Sequence, residues 1–157
     1  MKPNIGISDA HLKKLTTMLT AVLADGMMIY IKTRKFHWNV SGESFMEYHK
    51  LFEEHYKQLE TSIDEIAERV SKLGAMAIGT TTEFASASQI KETPGKNPTS
   101  KEMVKELLKD HETVIQTLRK NIEECDDKLK DVGTADFLTG LMEAHETLAW
   151  TLRRYLA

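Results

Sequence analysis

Residues 45–74 read FMEYHKLFEEHYKQLETSIDEIAERVSKLG, and this stretch decides the fold. Its apolar side chains recur at alternating steps of three and four residues, which is typical of one face of a long helix. Ser44 is the expected N-cap, with Glu47 as its capping-box partner, and Gly74 is the expected stop. The stripe consists of His49, Phe52, Tyr56, Leu59, Ile63, Ile66, Val70 and Leu73.

A similar pattern precedes this stretch and indicates an earlier long helix. Ser8 and Asp9 can cap its start, and Gly42 lies just beyond its end. Proline is absent between residues 4 and 93, which permits both helices. The members of this stripe are Leu12, Leu15, Leu19, Val22, Gly26, Ile29, Thr33 and Phe36.

Two more helical patterns occupy the second half of the chain. Thr99 or Ser100 caps the third helix, and Thr134 caps the fourth. Residues 74–98 are small, polar and broken by Gly and Pro, so they form a long connection. Two interpretations of this connection stay open: a short helix near residues 82–90, or a loose surface loop.

These patterns predict an all-α fold, a ferritin-like four-helix bundle with a long crossover between helices 2 and 3. We expect one domain over residues 1–157, with residues 1–8 as a short N-terminal tail. The hydrophobic fraction of 41% and the charged fraction of 29% indicate a soluble globular protein. No apolar run reaches the roughly 20 residues that cross a bilayer, and no signal peptide is expected.

Four of the remaining polar or reactive residues have a structural interpretation. Cys125 continues the apolar stripe of the third helix, so we expect it to pack in the core, and a single cysteine fits a reducing cytoplasm. His111 and His145 lie on apolar stripes and are expected to be buried. His55 is expected to face solvent or an interface.

Candidate metal ligands lie on the second helix, on a face other than the core face. His49 and Glu53 come near its start, and Asp64 and Glu68 come later. His49 and Asp64 are separated by roughly 22 Å along the axis, whereas ligand atoms lie about 2 Å from an iron or zinc ion. Either the chain has no shared site, or a second copy supplies the other half.

A two-fold axis would bring the two halves together. Two second helices that cross antiparallel near residues 58–59 would form two equivalent sites per dimer. His37, at the end of the first helix, could complete the first half. Two imidazoles and three carboxylates suit Fe(II), Mn(II) or Zn(II). The Glu-x-x-His signature of intra-bundle di-iron sites is missing, so a site within one bundle is not expected.

The segments KFHWNVSG, FMEYHKLFEEHY, DEIAERVSKLG and AIGTT strongly resemble the Dps family, the miniferritins. The similarity runs from about residue 10 to the C-terminus. The family pattern is a His, a second His twelve residues later, an acid four residues after that, and then Asp-x-x-x-Glu. In this sequence the pattern falls on His37, His49, Glu53, Asp64 and Glu68.

The resemblance implies a ferroxidase that oxidises Fe(II), preferably with hydrogen peroxide, and stores Fe(III) mineral inside a twelve-subunit shell with 23 symmetry. Such a protein protects against oxidative damage. It implies di-iron sites between two-fold-related subunits, with His37, His49 and Glu53 from one chain and Asp64 and Glu68 from the other. Zn(II) is a substitute metal. Many members carry Asp at the position of Glu53, so we expect the longer side chain to alter a second, weaker iron position.

Three further residues receive roles from the same resemblance. Trp38 is similar to a family tryptophan that could intercept one-electron oxidants, although an aromatic that packs the helix end is an equal alternative. Asp136 corresponds to an acid that lines the three-fold pore for Fe(II), and Asp131 is a weaker pore candidate. By position, Asp136 is also a favourable anion near a helix N-terminus.

DNA binding is expected to be weak or absent. The tail offers Lys2 before the first helix, and Arg153 and Arg154 lie in the last turn. Twelve copies at −3 each would carry about −36, which repels phosphate. Two alternatives remain: a DNA-compacting protein of the nucleoid with secondary iron chemistry, and a helical scaffold without metal chemistry.

Overall fold

The computed structural model describes residues 3–157, and all regular structure in that range is helical. Four long helices form the bundle and a short helix lies in the crossover, which confirms the predicted fold class. The short helix answers the question left open for residues 74–98. Lys2 lies outside the described residues. The helices are α1 (Asp9–Asn39), α2 (Phe45–Lys72), α3 (Thr81–Ala87), α4 (Ser100–Glu124) and α5 (Val132–Arg154).

The bundle consists of two helix pairs, α1 with α2 and α4 with α5, and the crossover helix α3 packs on α1. The predicted apolar stripes face inward. Side chains with no exposed surface come from all four long helices: Leu15, Leu19, Phe52, Leu107, Leu118 and Leu138. Each such burial contributes about 1.5–3 kcal/mol. The core is therefore continuous along the bundle.

The helix α1 is long and apolar enough, by length and composition alone, to cross a membrane. This differs from the expectation that no segment would be. Within the bundle 56% of its most apolar stretch is buried, because this helix packs against three others. Its apolar side chains therefore have partners inside the protein.

The crossover is fastened to α1 by a buried carboxylate. Asp25 accepts hydrogen bonds from the Ser88 hydroxyl at 2.6 Å, the Gln89 backbone N–H at 2.9 Å and the Gln89 side-chain amide at 2.8 Å. A second link joins α1 to α4, where Lys32 donates to Asp110 at 2.6 Å in a nearly buried ion pair. The contacts of Asp25 hold the crossover in place, because the crossover itself carries few apolar side chains. The contact of Lys32 with Asp110 holds α4 against α1.

Two of the predicted helix starts differ from the structure. Ser44 precedes α2 as expected, but it adopts the left-handed conformation with φ 58° and makes no side-chain cap, so its capping box with Glu47 is wrong. The cap of α5 is Asp131 and not Thr134, because the Asp131 carboxylate accepts from the Thr134 backbone N–H at 3.1 Å. Thr99 caps α4, as predicted.

A π-helical turn at Cys125–Leu129 joins α4 to the loop before α5. Cys125 has no exposed surface, and its Sγ lies 3.7 Å from Met18 Sδ. Burial raises the pKa of the Cys125 thiol to about 11. The expectation that this cysteine packs in the core is confirmed.

Three histidines meet in the core between α2, α4 and α5. His111 and His145 are buried, as predicted, and their Nδ1 atoms lie 2.9 Å apart. His55 is only 2% exposed, so the expectation that it faces solvent or an interface is wrong. Its ring lies edge-to-face with that of His111, with centroids 6.1 Å apart. The reason is that His55 lies next to the apolar stripe of α2, where the neighbouring helices cover it.

The buried histidines predict that the folded protein becomes less stable as the pH falls. Burial lowers the pKa of His145 to about 4 and holds the pKa of His111 well below the ordinary 6.5. Between these values the unfolded chain binds protons that the folded chain excludes, so the free energy of unfolding falls as the pH falls from about 6.5 to about 4. Each pKa unit corresponds to about 1.4 kcal/mol.

We therefore expect the Tm to drop between pH 7 and pH 5, and to drop much less in a His111→Leu/His145→Leu variant, which removes both partners of the contact. Thermal unfolding followed by circular dichroism measures both slopes. A His11→Gln variant, changed near the start of α1, is the control and should keep the wild-type slope. Equal slopes in the double variant and the wild type would contradict this account.

Candidate metal centre

The end of α1 and the start of α2 place two histidines in direct contact. His37 lies in the last turn of α1, and His49 lies one turn into α2. The chain reverses between the helices, so a spacing of twelve residues becomes a contact. The two imidazole rings are stacked, with centroids 3.8 Å apart and an angle of 20° between their planes.

Two reciprocal hydrogen bonds hold these rings. His37 Nδ1 donates to the carbonyl oxygen of His49 at 2.8 Å, and His49 Nδ1 donates to the carbonyl oxygen of His37 at 2.9 Å. A carbonyl oxygen only accepts, so the proton of each neutral ring is on Nδ1 and the lone pair is on Nε2. This is how metal-binding histidines are oriented in proteins. Both Nε2 atoms are therefore prepared to act as ligands.

Aromatic side chains enclose the histidine pair on both sides. Tyr56 places its ring edge-to-face with His37 at 5.2 Å, and Phe45 lies 5.1 Å from His49. His37 is 9% exposed. These ring contacts limit the movement of the two imidazoles. Sequence reasoning missed the role of Tyr56, whose place on the apolar stripe indicates only core packing.

Glu53 lies one turn after His49 and carries a negative charge beside the pair. Lys57 Nζ donates to Glu53 Oε1 at 2.6 Å. This hydrogen bond holds the pKa of Glu53 below its ordinary value, and the nearby His37 and His49 add smaller contributions in the same direction. Two nitrogens and a carboxylate thus share one neighbourhood on a single chain.

The other two predicted ligands lie apart from this group. Asp64 and Glu68 are exposed further along α2, and Lys72 donates to Glu68 at 2.9 Å. The rise of the helix puts Asp64 roughly 22 Å from His49. Within residues 3–157, no three side chains of His, Cys, Asp or Glu are gathered so that they could hold a metal ion. A single chain therefore brings His37 and His49 into contact with Glu53 nearby, which falls short of a three-ligand site, and leaves the remaining acids separate.

Trp38 follows His37 in the sequence, and its indole contacts Arg34. Its indole is 65% exposed, and the Arg34 guanidinium lies 5.2 Å from the ring centre. Arg34 also donates to the Tyr30 hydroxyl at 2.7 Å and lies 4.7 Å from the ring centre of Tyr56. Trp38 is thus held by a cation–π contact at the end of α1. Its role toward oxidants stays a prediction.

The two pore candidates have different surroundings. Asp131 is buried, accepts from the Thr134 hydroxyl and backbone, and pairs with Arg69 at 3.4 Å. Its charge is balanced within the chain, which does not favour its pore role. Asp136 is exposed but lies in the second turn of α5, so its expected position near the helix N-terminus is wrong. Arg69, which ties α2 to α5, is a residue that sequence reasoning missed.

Comparisons with known proteins agree with this architecture. A model of the ferritin-like domain matches residues 16–157. An uncharacterised low temperature-induced protein of Nostoc sp. is 44% identical over 98% of this chain and 86% of its own length. DNA protection during starvation protein 2 of Bacillus anthracis is 35% identical over 92% of this chain and 97% of its own length.

Solved structures give the same result. Dps from Vibrio cholerae O1, whose structure is described as a member of a superfamily of ferritin-like diiron-carboxylate proteins, matches with a TM-score of 0.93. It is 29% identical, and the match covers 99% of this chain and 97% of that one. DpsC from Streptomyces coelicolor matches with a TM-score of 0.95 at 25% identity, over 100% of this chain and 91% of that one. The chain belongs to the Dps family of ferritin-like proteins.

Proposed function

We propose that this chain is the subunit of a ferroxidase and iron-storage shell with twelve copies and 23 symmetry. The observation that carries the proposal is the stacked pair of His37 and His49, whose Nε2 atoms are free beside the Glu53 carboxylate. Iron is the substrate. Relatives named for starvation, general stress and low temperature support a protective role.

The second half of each site comes from a neighbouring subunit. Two α2 helices that cross antiparallel near their centres would place Asp64 and Glu68 of the partner subunit opposite His37, His49 and Glu53. Each two-fold contact then contains two equivalent sites. The distance of roughly 22 Å along one helix supports this arrangement, because a single copy of α2 cannot fold back on itself.

The side chains of the site favour oxidation of the bound iron. Anionic carboxylate ligands stabilise Fe(III) relative to Fe(II) more than water does, and the imidazoles hold the ion in place. Two Fe(II) ions held close together can give one electron each to one molecule of hydrogen peroxide, which with two protons becomes two water molecules. This avoids the one-electron step that releases hydroxyl radical. Zn(II) would fit the same ligands without redox chemistry.

The histidine, glutamate and lysine side chains prepare the site before iron arrives. The carbonyl acceptors keep the protons of His37 and His49 on Nδ1. Lys57 keeps Glu53 ionised and occupies its oxygen until a metal ion replaces the ammonium group. We propose that the length of Glu53, compared with Asp, changes the occupancy of the second iron position.

DNA binding by this chain is proposed to be weak or absent near neutral pH. The two arginines in the last turn of α5 have partners within the chain: Arg153 pairs with Glu112 at 3.6 Å, and the Arg154 guanidinium lies 5.9 Å from the ring centre of Trp150. The net charge of −3 per chain also opposes binding to phosphate. We propose a cytoplasmic location, where the buried thiol of Cys125 stays reduced.

The histidine pair gives the first test of function. A His37→Gly/His49→Gly variant should lose both nitrogen ligands and oxidise Fe(II) at least about tenfold more slowly with peroxide, while the shell still assembles. Stopped-flow absorbance of Fe(III) measures the rate after anaerobic loading with Fe(II), and size-exclusion chromatography checks assembly. His11→Gly, outside the site, is the matched control. An unchanged rate in the double variant would show that these residues are not the ligands.

Asp136 gives a second test, of iron entry. An Asp136→Asn variant removes a charge that would attract Fe(II) to the pore, so iron uptake should slow several-fold, and the effect should shrink as salt is added. Uptake at limiting Fe(II) is compared with oxidation at saturating Fe(II), which reports the dimer site. Asp126→Asn, on the exposed side of the π-helical turn, serves as the control. Uptake at the wild-type rate would argue against the pore role.

A further inference from the structure

The bundle core contains polar atoms that the proposed iron site does not use. Three buried side-chain atoms in residues 3–157 have no hydrogen-bond partner: Arg34 Nε, His55 Nδ1 and His111 Nε2. Two of these belong to neighbouring imidazoles on α2 and α4, whose ring centroids are 6.1 Å apart with planes at 83°. Unpaired buried nitrogens are rare because they lose their hydration without compensation, so these two nitrogens are candidates for binding a ligand.

A third histidine orients one of the two rings. His145 on α5 places its Nδ1 2.9 Å from His111 Nδ1, with ring centroids 5.0 Å apart. When His111 donates this hydrogen bond, its Nε2 carries a lone pair inside the core. A ligating imidazole whose other nitrogen is held by a hydrogen bond is the usual arrangement at metal centres.

The buried surroundings of the three histidines favour one class of metal ion. All three imidazoles are buried, and their described contacts are with one another and not with a carboxylate. A divalent ion would place two positive charges in an apolar core without a carboxylate to balance them, which is costly. A soft monovalent ion that accepts few nitrogen ligands fits better.

We propose that His55 Nδ1 and His111 Nε2 bind Cu(I) within the bundle of each subunit, and that His145 is a positioning residue. His145 Nδ1 is not a ligand because it is hydrogen-bonded to His111 Nδ1, and the unpaired nitrogens of this cluster are those of His55 and His111. It lies on the core face of α2, away from the exposed Asp64 and Glu68. It needs no second copy of the chain and does not depend on iron oxidation.

Two alternatives to this site predict different outcomes for Cu(I) binding: a buried water molecule in place of the ion, and copper bound at sulfur. Water could bridge the two free nitrogens, in which case no metal would bind there. Copper could instead bind the sulfur pair of Cys125 and Met18, which lie 3.7 Å apart. The raised pKa of Cys125 keeps it a thiol, which makes that pair a poor ligand set.

The test is an anaerobic titration of the metal-free shell with Cu(I) against bicinchoninate as a competing chelator. We expect one Cu(I) per chain in the wild type, and an affinity at least about tenfold lower in His55→Phe and in His111→Phe. The Cys125→Ala variant should bind like the wild type, and the His37→Gly/His49→Gly variant should keep the Cu(I) held by His55 and His111. Binding that survives both Phe substitutions, binding that is lost with His37 and His49, or no binding at all would overturn the proposal.

Two further measurements keep the proposal testable if a core variant does not assemble. X-ray absorption of the wild-type Cu(I) protein should show a low-coordinate shell of imidazole nitrogens, and sulfur neighbours would overturn the assignment. His145→Leu should weaken Cu(I) binding, and His145→Gln, which keeps a hydrogen-bonding group, should recover part of the affinity. Equal affinity in the Leu variant and the wild type would remove His145 from the site.

Discussion

The imidazoles of His37 and His49 each donate a hydrogen bond to the backbone carbonyl of the other residue, at 2.8 Å and 2.9 Å. This exchange joins the last turn of α1 to the second turn of α2, stacks the rings and leaves both Nε2 atoms free. It uses backbone groups that the reversal of the chain brings together. The same contact thus closes the helical hairpin and orients two of the ligands of the proposed metal site.

The straightness of α2 determines what the rest of that site requires. A helix of 28 residues cannot bring its two ends to one ion, since each residue advances the axis by about 1.5 Å. Phe52, Leu59 and Val70 occupy the core face of α2. The carboxylates of Asp64 and Glu68 therefore lie on its exposed face. A single chain is thus complete as a fold, and the proposed site needs a second copy of α2.

Sequence periodicity predicted the four long helices and the candidate ligands because both depend on spacing within one helix. It failed where contacts between helices determine a helix cap or the burial of a side chain. Ser44 takes a left-handed conformation that the turn imposes, and Asp131 replaces Thr134 as a cap while it also binds Arg69. His55 lies at the border of a stripe, where periodicity alone does not tell whether neighbouring helices cover the side chain. The stacking of His37 on His49 depends likewise on how two helices meet.

The most direct test of the shared site combines two inactive chains, His37→Gly/His49→Gly and Asp64→Asn/Glu68→Gln, by co-refolding them in equal amounts. Random pairing makes about half of the two-fold contacts mixed, and each mixed contact contains one complete site and one that lacks ligands from both chains. Peroxide-dependent Fe(II) oxidation should therefore return to about one quarter of the wild-type rate. Mixed shells that stay as inactive as the separate variants would contradict a site built from two subunits.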